Sequence, residues 1–437
     1  MSLPQVGTTP PGSAAARHTP QTPSRAWIIV AMLCAFLIVN YADKVVVGLA
    51  GPSLMRDLGI GARQFGLIQS SFFWCFALGA ILGGFLVGRV PAKWLLSGTA
   101  MLWALSLVPM IWSESYVVLI ASRMVLGFAE GPATAMAVAV AHTWFTAERR
   151  TIPTSVITAG AGLGPVIAAP VLTFVIVTFS WHAAFLTLVL AGALWAPLWV
   201  AIGREGPVHD TLAASMDASP RWTSAVFQRT VLGICVLMFA TYCSSAIKIS
   251  WLPLYLHDGL GYTQEEAGTL VALPYAATAI LLVLAGTVSR SMTKRGVAHR
   301  ISRGILPSTM LAVAGLSTIG FALSGRGTLN LFLIVVGASF AGAAAGIALT
   351  AVSDVVLPHQ RGPVLGFVVA VYSSAGIVAP LVLGNIVADA ASPAAGYERG
   401  FVILGFVMIA GALISLFLIN PDRDRYRGTE PSATTTP

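Results

Sequence analysis

The chain has 437 residues, of which 56% are hydrophobic and only 10% are charged. Soluble domains carry roughly 25% charged residues, so this composition excludes a soluble globular protein and indicates a lipid bilayer as the surroundings. The formal net charge is +8. It does not indicate a nucleic-acid partner, because most Lys and Arg residues lie between apolar segments and not in one basic patch.

Apolar segments of about 20 residues, long enough to cross a bilayer as helices, recur along the chain. We predict twelve transmembrane helices near residues 26–50, 64–88, 94–112, 116–144, 152–179, 183–202, 229–256, 266–290, 302–324, 328–352, 361–388 and 398–420. Residues 1–25 are rich in Pro, Thr and Ser and lack the apolar core of a signal peptide, which predicts a disordered cytoplasmic tail. Residues 421–437 form a second predicted tail.

A charged stretch at residues 203–228, which contains Pro and Ser, divides the predicted helices into two groups of six. We interpret it as a cytoplasmic linker between an N-terminal bundle, 26–202, and a C-terminal bundle, 229–420. The groups resemble each other: Leu58-Gly59 recurs as Leu260-Gly261, an offset of 202 residues. Such repeats are typical of transporters and place the binding site between the repeats. The predicted fold is an all-α membrane protein of two six-helix bundles related by a pseudo-two-fold axis.

The positions of the basic residues predict the orientation. Most Lys and Arg residues flank the predicted spans on the side of the two termini, and the opposite side keeps only Arg56, Arg63, Arg326 and Arg399. Basic loops stay in the cytoplasm. We therefore expect a multi-pass protein of the cell inner membrane with both termini in the cytoplasm.

Five charged residues lie well inside the predicted spans: Asp43, Lys44, Arg123, Glu130 and Lys248. Each costs roughly 2.5 to 3.5 kcal/mol at a helix centre, so such residues pair with one another or face a cavity. Arg123 and Glu130 are seven positions apart and project within about 20° of each other, whereas Asp43 and Lys44 diverge by about 100°. These residues form either structural ion pairs or a transport site, and we favour the second interpretation.

Several short motifs resemble the major facilitator superfamily, and within it the anion:cation symporters that include galactonate, glucarate and phthalate permeases. The resemblance spans roughly residues 26–420 and is most specific at Asn40-Tyr41-Ala42-Asp43-Lys44, Gly127-Phe128-Ala129-Glu130-Gly131 and Trp251-Leu252-Pro253-Leu254-Tyr255. It implies the major facilitator fold. It also implies proton coupling through the acids matching Asp43 and Glu130, substrate or salt-bridge contacts through Lys44 and Arg123, and a substrate contact through Tyr41.

The chain departs from this family pattern at two positions. Gly88 stands before Arg89 where the gating loop of the family usually carries an acid, and Lys44 stands where Arg is commoner. A lysine ammonium is a point charge without the planar fork that holds a carboxylate with two bonds.

Other polar residues are candidates for the same cavity. Lys248 follows Lys44 by 204 residues, close to the repeat offset. It is either the contribution of the second bundle to the substrate site or a structural lysine that extends to the membrane surface. Tyr372, Ser373 and Ser374, in the eleventh predicted span, are further candidates for substrate contacts.

Together these observations predict a proton-coupled importer of a small organic anion, such as a sugar acid, an aromatic acid or another carboxylate. We expect protonation of Glu130 to release Arg123 for the substrate carboxylate. The alternative is a proton-antiport exporter of amphipathic compounds. We expect a monomer with no metal or cofactor, the proton being the coupling ion. The sequence carries no nucleophile elbow or His-rich metal motif that would indicate an enzyme.

Overall fold

A computed structural model of the chain describes residues 23–86, 89–146, 149–206, 222–357 and 360–424. Within this part, 12 helical spans are long and apolar enough to cross a membrane. This number confirms the predicted all-α membrane fold and its twelve spans.

In its described residues, the first half contains seven α-helices that make six spans, because α4 and α5 together form one. Their bounds are α1 (Pro23–Leu58), α2 (Ala62–Leu86), α3 (Ala92–Leu107), α4 (Tyr116–Glu130), α5 (Ala133–His142), α6 (Thr151–Thr178) and α7 (Trp181–Ile202). Within this half, α1 packs against α6, α2 against α4 and α3 against α7.

The second half begins with a short helix and continues through six spans. The bounds are α8 (Trp222–Val226), α9 (Arg229–Ser250), α10 (Leu252–Leu254), α11 (Gln264–Lys294), α12 (Leu306–Leu323), α13 (Thr328–Val355), α14 (Arg361–Ala388), α15 (Pro393–Leu418) and α16 (Pro421–Asp424). Here α12 packs against α13 and α15, and α11 packs against α13.

Three differences between the observed helices and the sequence-based bounds change the path of the chain, whereas the other helix ends differ by up to about five residues, as at Pro393, where α15 begins. α1 continues past residue 50 to Leu58 through Pro52. The fourth span is broken between Glu130 and Ala133, because a proline has no N–H for the carbonyl four residues earlier. The seventh span is interrupted at Trp251. The predicted tails, apart from α16 and residues 23–25, and most of the predicted linker lie outside the described residues.

Glycines allow α2 and α4 to pack with their backbones in contact. A Cβ at Gly127 would lie 1.8 Å from the Phe72 carbonyl oxygen, and one at Gly79 would lie 1.9 Å from the Phe128 carbonyl oxygen. No side chain fits these positions. The two helices therefore approach as closely as small residues permit, as is common between membrane helices.

The two halves contact each other through α2 with α14 and through α6 with α11. Hydrogen bonds between described residues of the two halves lie at one end of the molecule. Gln264 accepts from Ser53 (3.1 Å) and donates to the Leu49 carbonyl (3.2 Å). Arg63 binds Asp389 at 2.8 Å. We refer to this region, at the α1–α2 and α14–α15 loops, as the closed end.

Candidate functional site

Lys44 of α1 and Glu130 of α4 form a buried ion pair between two spans. The distance from Lys44 Nζ to Glu130 Oε2 is 3.3 Å, and the side chains are 12% and 0% exposed. Lys44 Nζ also donates a hydrogen bond to Asn40 Oδ1 at 3.2 Å. It lies 3.9 Å from the centre of the Tyr41 ring, which places the Tyr41 side chain beside the pair. The ammonium is therefore held by three neighbouring groups.

Asp43 and Arg123 complete a cluster of two acids and two cations. Asp43 is fully buried, and neither carboxylate oxygen has a hydrogen-bond partner among the described residues. Its charge interacts with those of Glu130, Arg123 and Lys44. Arg123 is 3% exposed, and its guanidinium lies 4.8 Å from the centre of the Phe72 ring. The four formal charges cancel, which reduces the cost of burying them.

The break between α4 and α5 lies directly after Glu130. Pro132 has no N–H, so the Phe128 carbonyl loses its ordinary helical donor. α2 packs tightly against this break, because a Cβ at Gly83 would lie 2.2 Å from the ring of Pro132. The break thus places Glu130 at a helix end beside α2, where an interrupted helix can supply polar groups to a transport site.

The ion-pair partner of Glu130 differs from the sequence-based expectation. We expected Glu130 to hold Arg123, but Lys44 lies at ion-pair distance. Arg123 is two helical turns, about 10.5 Å, from Glu130 along the same helix. Its guanidinium therefore stacks on Phe72, while Lys44 of α1 pairs with Glu130. Among the described residues, the cation at ion-pair distance from Glu130 is therefore Lys44, while Arg123 interacts with Glu130 at longer range.

Lys248 lies in the second half and faces an aromatic ring. Its Nζ is 4.3 Å from the centre of the Tyr275 ring, and its side chain is partly buried. Unlike Lys44, it has no described carboxylate within 4.0 Å. A cation over an aromatic face is stabilised by about 0.5 to 2 kcal/mol, less than the cost of burying an unpaired charge.

The three candidates on α14 have different surroundings. The Tyr372 ring packs 4.8 Å from the ring of Tyr242, which in turn lies 5.9 Å from the Phe73 ring of the first half. The Ser373 hydroxyl is buried without a hydrogen-bond partner among the described residues, whereas Ser374 donates to the Val371 carbonyl of its own helix. Tyr372 and Ser373 remain candidates for substrate contact, whereas Ser374 already donates its hydroxyl proton within its own helix.

Arg89 lies apart from the charged cluster. Its exposed guanidinium donates to the Phe85 carbonyl at 3.2 Å, at the end of α2. Gly88, where the family usually has an acid, lies outside the described residues. The structure therefore places Arg89 in a loop between spans and brings it to none of the buried charges.

Two contacts of the cluster were missing from the sequence-based site. Asn40 is fully buried and binds Lys44, and Phe72 stacks on Arg123. Asn40 could have been found, because it precedes Lys44 by four residues and therefore lies on the same helix face. Phe72 carries no comparable signal, since its contact depends on how α2 packs against α4.

A cavity of about 470 Å³ lies between the halves at the closed end, lined by Ser53, Asp57, Trp181 and Gln264 among others. Ser53 is nine residues from Lys44, about 13 Å along α1. The Asp57 carboxylate in this cavity accepts a hydrogen bond from the Trp181 ring nitrogen at 2.9 Å. This cavity is therefore separate from the buried charges.

Residues 32–380 match the Major Facilitator Superfamily, which is most of the chain. The chain belongs to this superfamily. The assignment confirms the resemblance seen in the sequence motifs and identifies the chain as a membrane transporter and not an enzyme.

The matches to similar proteins cover nearly the full length of this chain. The hexuronate transporter of Bacillus subtilis is 28% identical over 403 residues, covering 90% of this chain and 94% of that protein. A probable sulfoacetate transporter of Cupriavidus necator is 25% identical over 415 residues, covering 90% and 94%. The D-galactonate transporter of Escherichia coli is 22% identical over 424 residues, covering 90% and 96%.

Solved structures show the same fold. A bacterial homologue of the human lysosomal transporter Spinster, in an inward-facing and occupied conformation, superposes with a TM-score of 0.79 at 17% identity, covering 93% of this chain and 99% of that one. A D-xylose–proton symporter superposes with a TM-score of 0.74 at 16% identity, covering 91% and 98%. At these identities the likeness establishes the major facilitator fold alone.

Proposed function

We propose that this transporter imports a small organic anion, a sugar acid or another carboxylate, together with protons. The similar proteins named for hexuronate, galactonate and sulfoacetate support an organic acid as the substrate. The observation that carries the proposal is the buried Lys44–Glu130 pair beside Asp43. A cation held by a protonatable acid can link the arrival of a proton to the binding of an anion.

The proposed coupling follows from the charges of the pair. When Glu130 is ionised, it neutralises Lys44, and the buried cluster carries no net formal charge. When Glu130 takes up a proton, its carboxyl becomes neutral. The Lys44 ammonium then has no counter-ion in a medium of low dielectric constant. A substrate carboxylate then replaces the lost partner. Binding of the proton and binding of the anion favour each other by the same factor.

Asp43 is the second proposed proton site of the cluster. Its buried oxygens lack hydrogen-bond donors, and such a carboxylate is stable when it is protonated or pairs with a cation. Arg123 remains charged and provides a cation that holds the ionised acids in place.

The proposed orientation places both termini in the cytoplasm of the cell inner membrane, as the distribution of basic loops favours. The closed end then faces away from the cytoplasm, and anions leave towards the side of the termini. We propose that one chain is sufficient for transport. Proton-antiport export of amphipathic compounds has less support, because the similar proteins are named for organic acids.

The test uses purified protein in liposomes with an imposed proton gradient. The wild type should accumulate a radiolabelled sugar acid when the gradient is directed inwards. The Glu130→Gln variant should lose this accumulation and keep exchange of labelled for unlabelled substrate, because its side chain cannot change charge. The Glu398→Gln variant alters an exposed acid near the start of α15 and serves as the matched control. Gradient-driven accumulation by Glu130→Gln would disprove the coupling role.

A further inference from the structure

Lys248 differs from Lys44 in having no acid at ion-pair distance among the described residues. In the first half, Lys44 is paired with Glu130, and Arg123 interacts with Glu130 and Asp43. In the part of the chain that the structure describes, the group facing the Lys248 nitrogen is the Tyr275 ring, whose centre lies 4.3 Å away. The charge of this lysine is therefore available to a group that is not part of the described chain.

Lys248 lies next to the boundary between the two halves. A Cβ at Gly48 of α1 would lie 2.3 Å from the Ile249 carbonyl oxygen. The amide of Gln69, in α2, donates to the Ser250 carbonyl at 3.4 Å. The two residues after Lys248 thus contact the first half directly. The lysine itself stands at the edge of that contact, on the side away from the closed end.

Tyr275 lies on the face of α11 that is turned towards the first half. Gly268 and Ala279 of the same helix contact Thr173 and Gly162 of α6. Tyr275 follows Gly268 by seven residues and precedes Ala279 by four, so the three positions lie within about 40° of one another around the helix. The Tyr275 ring therefore lies at the boundary between the halves, together with the Lys248 ammonium.

Two buried hydroxyl groups, one on α11 and one on α13, have no hydrogen-bond partner among the described residues. They belong to Tyr275, which is 8% exposed, and to Ser339 of α13, which is 3% exposed. A buried hydroxyl without a partner costs about 1 to 3 kcal/mol. Such groups are generally retained in a protein interior when a ligand or water satisfies them.

The register of α11 and α13 places Tyr275 and Ser339 at the same level along the two helices. A Cβ at Gly342 would lie 2.4 Å from the Thr278 side chain, and one at Gly346 would lie 2.2 Å from the Leu282 side chain. Both contacts have a sequence offset of 64 residues, so the helices run side by side in the same direction. The two hydroxyl residues have the same offset and lie one turn before the first contact.

We propose that Lys248, Tyr275 and Ser339 form a subsite for the carboxylate of the transported anion in the second half, an inference that rests on the proposed function. A carboxylate accepts several hydrogen bonds and donates none. The ammonium supplies the charge and the two hydroxyl groups supply donors, the combination that forms strong charge-assisted hydrogen bonds. The lysine is free before any proton arrives, whereas Lys44 is freed only by protonation of Glu130. In this proposal the anion engages Lys248 first, and Lys44 becomes available to it once Glu130 is protonated.

The experiment measures transport kinetics in proteoliposomes with the carboxylate that the wild type transports best from a panel of sugar acids, aromatic acids and dicarboxylates. Lys248→Gln should raise KM at least about tenfold, as expected for loss of one charge-assisted hydrogen bond. It should change kcat much less, because the proton cluster is intact. Lys248→Arg should restore part of the affinity. Lys294→Gln removes an exposed charge at the end of α11 and should leave KM unchanged.

A KM of Lys248→Gln within twofold of the wild type would overturn the subsite. If Lys248→Gln does not reach the membrane, Tyr275→Phe is used in its place. Tyr275→Phe removes only the hydroxyl and should raise KM about threefold or more. An unchanged KM in this variant would overturn the subsite equally. The outcomes separate this inference from the proposed function. Failure of the wild type to accumulate any carboxylate would disprove the function. Normal uptake by the wild type, together with an unchanged KM in Lys248→Gln and Tyr275→Phe, would disprove the subsite alone.

Discussion

Gly66 of α2 lies where the two halves touch with backbone atoms, and Gly66→Ala should open the closed end. A Cβ there would lie 2.7 Å from the Pro380 carbonyl oxygen and 3.3 Å from Gly384 Cα, both in α14. Neither atom can rotate away. Overpacking of this kind costs about 1 to 3 kcal/mol. This cost applies only to the conformation in which the halves touch at the closed end. The ratio of molecules closed at that end to molecules open there should therefore fall about 5- to 150-fold.

Thiol labelling at residue 53 would measure this shift. Ser53 is 8% exposed at the closed end, so a cysteine there should react slowly in the background and faster when Gly66→Ala is added. The protein used would lack the four native cysteines. Gly84→Ala is the matched control, because Gly84 lies in the same helix and a Cβ there meets nothing within 4 Å. Equal labelling rates with and without Gly66→Ala would refute the reasoning.

Two further predictions concern stability. Gly127→Ala should lower the melting temperature in detergent by several degrees, because its Cβ would lie 1.8 Å from a backbone oxygen of α2. Gly98→Ala is the control and should not lower it, because a Cβ at Gly98 meets nothing within 4 Å. Equal losses in both variants would contradict the role of the Gly127 contact. Hydrogen bonds from Arg423 and Thr230 lower the pKa of Asp424 from its ordinary value of 3.8 to about 2. Because the folded-state pKa is depressed, the stabilisation is complete well above pH 4 and is lost as the pH falls towards 2. Asp424→Asn should therefore destabilise the protein by about 1 kcal/mol at pH 7, after allowance for screening, and denaturation curves of the two proteins should converge near pH 2 to 3. A difference that does not depend on pH would show that the charge of Asp424 is not its source.

The sequence predicts the fold well because the bilayer imposes simple rules on it. Apolar length is sufficient to find twelve spans, since a helix must satisfy all its backbone groups inside lipid. The break after Glu130 was missed, although Gly131 and Pro132 were visible. Hydropathy averages over about 20 residues, and a break of two small apolar residues does not change such an average.

The candidate site was predictable in its members but not in its pairing. Buried charges are conspicuous in an apolar chain, so Asp43, Lys44, Arg123 and Glu130 could be selected by type alone. Helix periodicity places Arg123 and Glu130 on one face, and this led to the expectation that they pair. Periodicity orders residues within a helix, whereas the Lys44–Glu130 contact depends on the rotation and depth of α1 against α4. No pattern within one helix contains that information.

The closed end is held by few polar contacts, and this limits the free energy needed to open it. The bonds of Gln264 with Ser53 and Leu49, that of Gln69 with the Ser250 carbonyl and that of Arg63 with Asp389 are each worth about 0.5 to 1.5 kcal/mol at most, the last less because both side chains are exposed. Together they contribute a few kcal/mol. A ligand that binds one state of a protein 10⁴-fold more tightly than the other shifts their equilibrium by about 5.5 kcal/mol. A solute with this preference would therefore outweigh these polar contacts, to which the packing of α2 against α14 adds.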